Sequence, residues 1–378
     1  MRTPIETRAS AEPRPPDATP RPNDEHSLIG GGVFVVASLI ALAWVAADRP
    51  GLPSHFSNDE GTIINVNRGT FADADASFQL IAAVYRWLGL AELPALAAML
   101  GVLSYLLALT LALRKTQVSS AGWLDWGIIV SCVALAAIYH GAYTKDLLTM
   151  GVVLVIVLCR GSGILSELAP ILAMLLYAEA FRTYWFLVAG VFVALRLLLR
   201  LRRGWVTTLV VILMLYAVLA VVFPQFVGVD LDHFRHTVNE YRSNASVNTL
   251  ITQFVPGTGP VFGFVNSVLT FGSFIVPIPL LFRGGAIYLI VAVLLIVIWV
   301  SLLVAIRSAR RRADAASPAL TPFQNRLLAS LLAFLIVQSI FEPDYGSFLR
   351  HLTPMLVVAV CLLLSLRPGG SARPPSLG

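Results

Sequence analysis

The sequence predicts an all-α fold: a polytopic integral membrane helical bundle of about ten spans plus two re-entrant or interfacial segments. Three observations predict it. First, 57% of the 378 residues are apolar and only 13% are charged, against roughly 25% charged in soluble domains; the mean hydropathy is +0.79. Second, apolar runs recur from residue 28 to residue 366, and helices are one of two backbone forms that satisfy their own polar groups in lipid. Third, the Lys and Arg residues behind the net charge of +6 sit at the ends of those runs. There they orient helices, so the basic balance does not point to nucleic acid as a partner.

Taken in order, residues 1–27 are rich in Pro, Arg and acidic residues and read as a disordered cytoplasmic tail. Their mixed charge is a poor match for a cleaved leader, which makes 28–47 an uncleaved first span. The external loop 48–76 runs into 77–90, where Arg86 lies between Tyr85 and Trp87; this is an amphipathic stretch for the membrane surface. Spans follow at 93–113, 123–140 and 147–159, and the shortness of the last leaves residues 143–146 at membrane depth beside protein or water. Spans 164–181 and 184–201 share a tight turn. The span 205–223 leads into the largest external loop, 224–260. Segment 261–282 contains Pro277 and Pro279, which remove backbone donors and would break a lipid-facing helix. Spans 285–306, 325–341 and 351–366 complete the domain, with 342–351 outside and 367–378 a second disordered cytoplasmic tail. The basic clusters at Arg2 to Arg21, Arg114-Lys115, Arg160, Arg196 to Arg203, Arg307 to Arg312, Arg326 and Arg367 then share the cytoplasmic side with both termini. No internal repeat and no second soluble domain is apparent in the sequence.

Several chemistries are disfavoured at this point. Cys132, Cys159 and Cys361 lie within spans and read as small apolar fillers. There is no CxxC and no HExxH, and His233/His236 lack a third ligand, so no metal or other cofactor is expected. The nearest approach to a phosphate loop, Gly257-Thr258-Gly259-Pro260, lacks its Lys, which argues against an ATP-driven pump.

The remaining signal lies outside. Five of the six histidines, His55, His140, His233, His236 and His351, fall on the external side, as expected of a catalyst or binder working at that face. Loop 48–76 offers Asp59-Glu60 and Asp73/Asp75. Lys145-Asp146 has two readings: mutual neutralisation, or a lysine that meets an anionic substrate. Arg182 either pairs with Glu179 at i, i+3 or points into the bundle, with Tyr184 and Trp185 as interfacial anchors. Helical spacing in 224–260 puts Asp232, Arg235, His236 and Asn239 along one face. That segment is either an exposed amphipathic helix or a lid carrying Arg for a diphosphate and His as base, with Arg242 following. Finally, the turn Pro343-Asp344-Tyr345-Gly346 projects Arg350-His351 at the outer mouth of the last span, so that Glu342, Asp344, Arg350 and His351 gather within ten residues.

Three of these segments carry a resemblance. Tyr143-x-Lys145-Asp146, Phe181-Arg182-x-Tyr184-Trp185 and Glu342-Pro-Asp-Tyr-Gly-x-x-x-Arg350-His351 resemble bacterial exopolysaccharide or O-antigen polymerases of the Wzy and EpsG-like type. The resemblance implies a multi-pass enzyme of the bacterial inner membrane. Its partners would be undecaprenyl-diphosphate-linked saccharide units, met at the periplasmic face, and other polysaccharide assembly proteins. Many Wzy proteins carry two Arg-rich periplasmic loops; Arg235 and Arg242 supply one. The chemistry matches the residue types: Arg182, Arg235, Arg242, Arg350 and Lys145 can hold the departing diphosphate, with Asp344 a further substrate contact. His351, His236 or Asp59 can take the acceptor's proton. The lipid carrier already activates the sugar, so no nucleotide is needed. A lipid-linked saccharide flippase and a polysaccharide O-acyltransferase are the alternatives.

Overall fold

The computed structural model describes residues 22–53, 56, 58–71, 73–116, 118–201, 205–242, 249–282, 285–313 and 320–367. The chain is helical from one end of these to the other: α1 (Pro22–Ala46), α2 (Asn58–Asn67), α3 (Ala76–Trp87), α4 (Pro94–Arg114), α5 (Trp123–Tyr139), α6 (Thr149–Leu158), α7 (Ile164–Ala180), α8 (Trp185–Leu201), α9 (Trp205–Val227), α10 (His233–Arg242), α11 (Pro260–Ile275), α12 (Ile278–Phe282), α13 (Ala286–Arg312), α14 (Pro322–Phe341) and α15 (Tyr345–Ser365). The first helix starts at Pro22, inside the predicted tail, because proline's fixed φ suits the first turn of a helix. Residues 1–21 and 368–378 of the predicted tails lie outside the described residues, as does His55.

Six helices among the described residues are long and apolar enough to cross a bilayer: α4, α13, α14 and α15, with His26–Ala46 of α1 and Val206–Val227 of α9. Helices α5, α8 and α11 are apolar but shorter. Burial sorts them. The apolar windows of α14 and α15 are 83% and 89% buried, against 17% and 22% for α1 and α9. A helix apolar on every face belongs inside, and α15, with Leu352 and Val357 fully enclosed, is the post around which α4, α5, α6 and α14 pack. Helices α1, α9 and α13 instead turn Leu39, Val218 and Ile290 outward, as a lipid-facing rim does.

Two polar ends close the bundle. At one, Arg326 is fully buried and donates to the carbonyls of Cys159 and Gly161 and to Glu167. Arg196 pairs with the same Glu167. Arg367 grips Asp125 with contacts of 2.5 and 3.1 Å, and Arg312 reaches the Leu366 carbonyl at 2.8 Å. Some residues read as orienting charge are therefore buried struts here. The other end is built from α2, the turns 140–148 and 181–184, and the start of α15.

The two ambiguous segments are both helical. Helix α3 has 12 residues and buries Ile81, Ala82 and Tyr85 in a cluster with Ile63 of α2, Tyr143 and Leu147. Helix α11 sets Gly263 against Leu231 and Asp232, and its far end stacks Phe274 on Phe348 of α15 at 3.7 Å. Its Phe271 also packs on Tyr216 in the middle of α9, and the Phe274 carbonyl accepts from Trp299 in the middle of α13 at 3.1 Å, before the chain breaks at Pro277. Helix α2 lies in a stretch read as loop; Asp59 and Glu60 in its first turn complement the helix N-terminus.

Candidate functional site

The turn after α5 carries the site's central carboxylate. Thr144 caps a 3-10 turn, Lys145–Leu147, by accepting from the Asp146 amide. Tyr85 donates from its hydroxyl to the Thr144 carbonyl at 3.2 Å, and the Tyr143 hydroxyl donates to the Leu90 carbonyl. The turn can lie against α4 because residue 101 is glycine: a Cβ there would stand 2.1 Å from the His140 carbonyl oxygen. In a 3-10 turn successive side chains diverge, so Lys145 and Asp146 part company. Lys145 sits over the Phe78 ring and donates to Ser77 at 3.0 Å, with Asp75 at 3.9 Å. Asp146 turns inward.

There it meets two guanidiniums. Arg182 Nη2 donates to Asp146 Oδ1 at 3.0 Å, and Arg350 Nε stands 3.4 Å from Oδ2, which also accepts from Thr144 Oγ1 at 3.2 Å. Burial pushes the Asp146 carboxyl up, but Arg182 and Arg350 outweigh it and hold the group well below the usual carboxylate range. Arg350 also pairs with Asp59 at 3.0 Å, so α2 covers the cluster from outside. Burial and the Arg182 charge lower the pKa of Lys145, with Asp75 and Asp59 opposing them.

Arg182 points inward because the residues around it leave it no other place. Trp185 is 1% exposed, packed edge-on against Tyr177 and tilted against Phe334. Tyr184 stacks on Phe341 and its hydroxyl accepts from Arg182 and Gln338, each at 3.2 Å. These aromatics are internal packing and not the interfacial anchors expected from sequence. Arg182 likewise pairs with Asp146 and not, as one reading had it, with Glu179.

The third component is His351. Its Nε2 meets Arg182 Nη1, with Arg350 Nη2 at 3.4 Å, and its Nδ1 meets Glu342 Oε1 at 2.5 Å. Arginine can only donate, so Nε2 is the acceptor and Nδ1 carries the proton given to Glu342. The ring is held from both sides, with Nδ1 toward a carboxylate and Nε2 toward two cations. Burial raises the Glu342 carboxyl, yet the His351 contact and the two arginines lower it further than that. Glu342 reaches back because Asp344 caps α15, accepting from Ser347 N at 2.8 Å, while Pro343 O and Tyr345 N bond to Ile251 and Thr249.

The fold therefore gathers Asp59, Lys145, Arg182, Arg350 and His351. The remaining candidates are used otherwise. Arg235 is 1% exposed and donates to Thr270 Oγ1 and the Ser339 carbonyl at 2.5 and 2.7 Å, beside Asp232. It is a strut fastening α10 to α11 and α14, turned to protein. His236 is half-exposed and pairs with Glu240 at 3.1 Å, and Asp344 is a helix cap. The side chain of Arg242 lies outside the described residues. Sequence reasoning noted Asp146 and Glu342 in their segments but assigned neither a role in the site. For Glu342 a signal existed, a carboxylate nine residues before His351 across a Pro-Asp-Tyr-Gly turn.

No protein-family model, curated protein or solved structure matches this chain.

Proposed function

We propose that this chain is a polysaccharide polymerase or ligase that transfers saccharide units from a polyprenyl diphosphate carrier at the outer face of a bacterial inner membrane. The observation that carries it is the pairing of a carboxylate-oriented base, Glu342–His351, with two guanidiniums, Arg182 and Arg350, at one end of an apolar bundle. An acid–base group beside an anion clamp suits group transfer from a diphosphate. Once Arg182 Nη1 turns from His351 Nε2 to the diphosphate, the acceptor hydroxyl gives its proton to that nitrogen as its oxygen bonds the anomeric carbon. The anomeric carbon's bond to the diphosphate oxygen breaks, and Arg350, Arg182 and Lys145 stabilise the departing charge. Glu342 keeps the base in its reactive tautomer and stabilises the imidazolium.

The proposal includes ten crossings, by α1, α4 to α9 and α13 to α15, with both termini cytoplasmic. It is supported by the cation-rich contacts among Arg326, Arg196, Arg312 and Arg367 at the end opposite His351. The ionisable groups named at the two ends do not form a path through the bilayer, which weighs against transport. The test is the polysaccharide profile of a strain lacking the protein. Loss of long chains with retention of single repeat units is expected; unchanged chain length would overturn the proposal. His351→Ala, expressed at wild-type level, should reproduce the deletion.

A further inference from the structure

We infer that Asp59 is a displaceable internal counter-ion, which occupies Arg350 in the ligand-free protein and yields it to the diphosphate of the substrate when the first turn of α2 withdraws. The inference rests on the reading of Arg182 and Arg350 as a diphosphate clamp and adds how that clamp is kept closed and opened.

Charge counting makes some such step necessary. Three basic side chains, Lys145, Arg182 and Arg350, face three carboxylates, Asp59, Asp146 and Glu342, so the fixed charges of the cluster balance. Exposed Asp75 beside Lys145 adds nothing to attract an anion. One carboxylate has to leave. Asp146 and Glu342 are poorly placed to do so: their side chains are 3% and 4% exposed, and each accepts a well-aligned hydrogen bond from the site. Asp59 differs on both counts. Its side chain is 21% exposed, and that of Arg350 is 25% exposed. Although Asp59 Oδ2 and Arg350 Nη1 lie 3.0 Å apart, neither Asp59 Oδ2 nor Arg350 Nε has an aligned hydrogen bond. The pair is held by charge without an aligned hydrogen bond, so withdrawal of Asp59 frees Arg350 Nη1 for a phosphate oxygen.

The segment bearing Asp59 packs outside the main core. Helices α2 and α3 pack in a second, smaller cluster that takes in Ala97 of α4 and Tyr143 and Leu147 of the site turn. The chain enters α2 from Asp48 and Arg49, which hold φ of 62° and 50°, a region that non-glycine residues occupy only when their surroundings impose it. Arg49 is in turn tied to Glu60, the neighbour of Asp59, at 2.5 Å. The first turn of α2 is thus held by two ion pairs, Glu60 to the end of α1 and Asp59 to Arg350. An anionic ligand competes with the second while the first retains the segment.

The test is calorimetric titration of the purified full-length protein with inorganic pyrophosphate and, separately, with farnesyl diphosphate as a lipid-borne diphosphate. Asp59→Asn should bind about tenfold more tightly than wild type, since a like charge at contact distance is removed. Asp59→Glu, which keeps the charge, should show no gain, and Asp73→Asn, an exposed carboxylate nearby, should stay within about twofold. Adding Arg350→Ala to Asp59→Asn should abolish the gain. A tenfold gain with both probes assigns the effect to the diphosphate itself; a gain confined to farnesyl diphosphate assigns it to a lipid headgroup. Equal affinity of wild type and Asp59→Asn would overturn the inference while leaving the clamp in place, and an equal gain in Asp59→Glu would do so too, by tracing the effect to loosened packing. If no form binds either probe, the diphosphate clamp falls, and the inference with it.

Discussion

Replacing Glu342 by Gln separates an oriented base from a histidine that merely packs. The substitution keeps shape and burial but removes the charge that faces the Nδ1–H of His351 at 2.5 Å. When Nε2 takes a proton from the acceptor, the imidazolium that forms loses a charge-assisted hydrogen bond in a buried setting, worth about 1.5–3 kcal/mol. At about 1.4 kcal/mol per decade, the transfer rate should drop roughly 10- to 150-fold. His351→Ala removes the base itself and should cost about 10² to 10⁴. Because Glu342 acts through His351, the double variant should be no slower than His351→Ala alone, a non-additivity expected of residues that work as a unit. The assay is the initial rate at which membranes convert lipid-linked saccharide units to polymer, at matched protein level. A Glu342→Gln rate within about twofold of wild type, or a double variant in which the two losses multiply, would refute the dyad.

Arg182→Lys should also lose about tenfold or more in the same assay, since one ammonium cannot meet Asp146, His351 and Tyr184 together as the guanidinium does; full activity would reduce Arg182 to a packing residue. Asp146 and Glu342 have pKa values lowered in the folded protein, so their contribution to stability is complete above the unfolded value near about 4 and is lost as pH falls through the folded value. Thermal unfolding in detergent should therefore weaken on acidification below about pH 4, with a flatter dependence in Asp146→Asn. Gly101→Ala puts a methyl group against the His140 carbonyl and should destabilise by about 1–3 kcal/mol; an unchanged melting temperature would mean that the turn shifts freely. Glu167→Ala leaves Arg196 and Arg326 without their carboxylate and should cost about 3–5 kcal/mol with no loss of rate per folded molecule. In a cysteine-free background, Thr70→Cys should label from outside and Lys115→Cys from inside; the reverse pattern would overturn the topology.

What the sequence determined by itself is what depends on composition and on period. Hydropathy is a local property, and a run such as 325–341 must be a buried helix wherever it sits. The interruption at Pro277 and Pro279 is equally local, and so is the Pro-Asp-Tyr-Gly turn that sets His351 beside Glu342. The rest of the site is not local. Asp146, Arg182 and Arg350 are brought together by the packing of α6, α7, α14 and α15, and no spacing along the chain encodes their contact. Adjacency even misleads: Lys145 and Asp146 look like a neutralising pair, yet a 3-10 turn sends one to α3 and the other to Arg182. Helical period put Asp232, Arg235, His236 and Asn239 on one face; Asp232 and Arg235 are buried, while His236 stays half-exposed. The period could not say whether that face meets water or protein, and the donors Arg235 gives to Thr270 and Ser339 were decided only when α11 and α14 closed over it. A charged residue is read as functional or structural by the partner it finds, and the partner is a property of the tertiary fold.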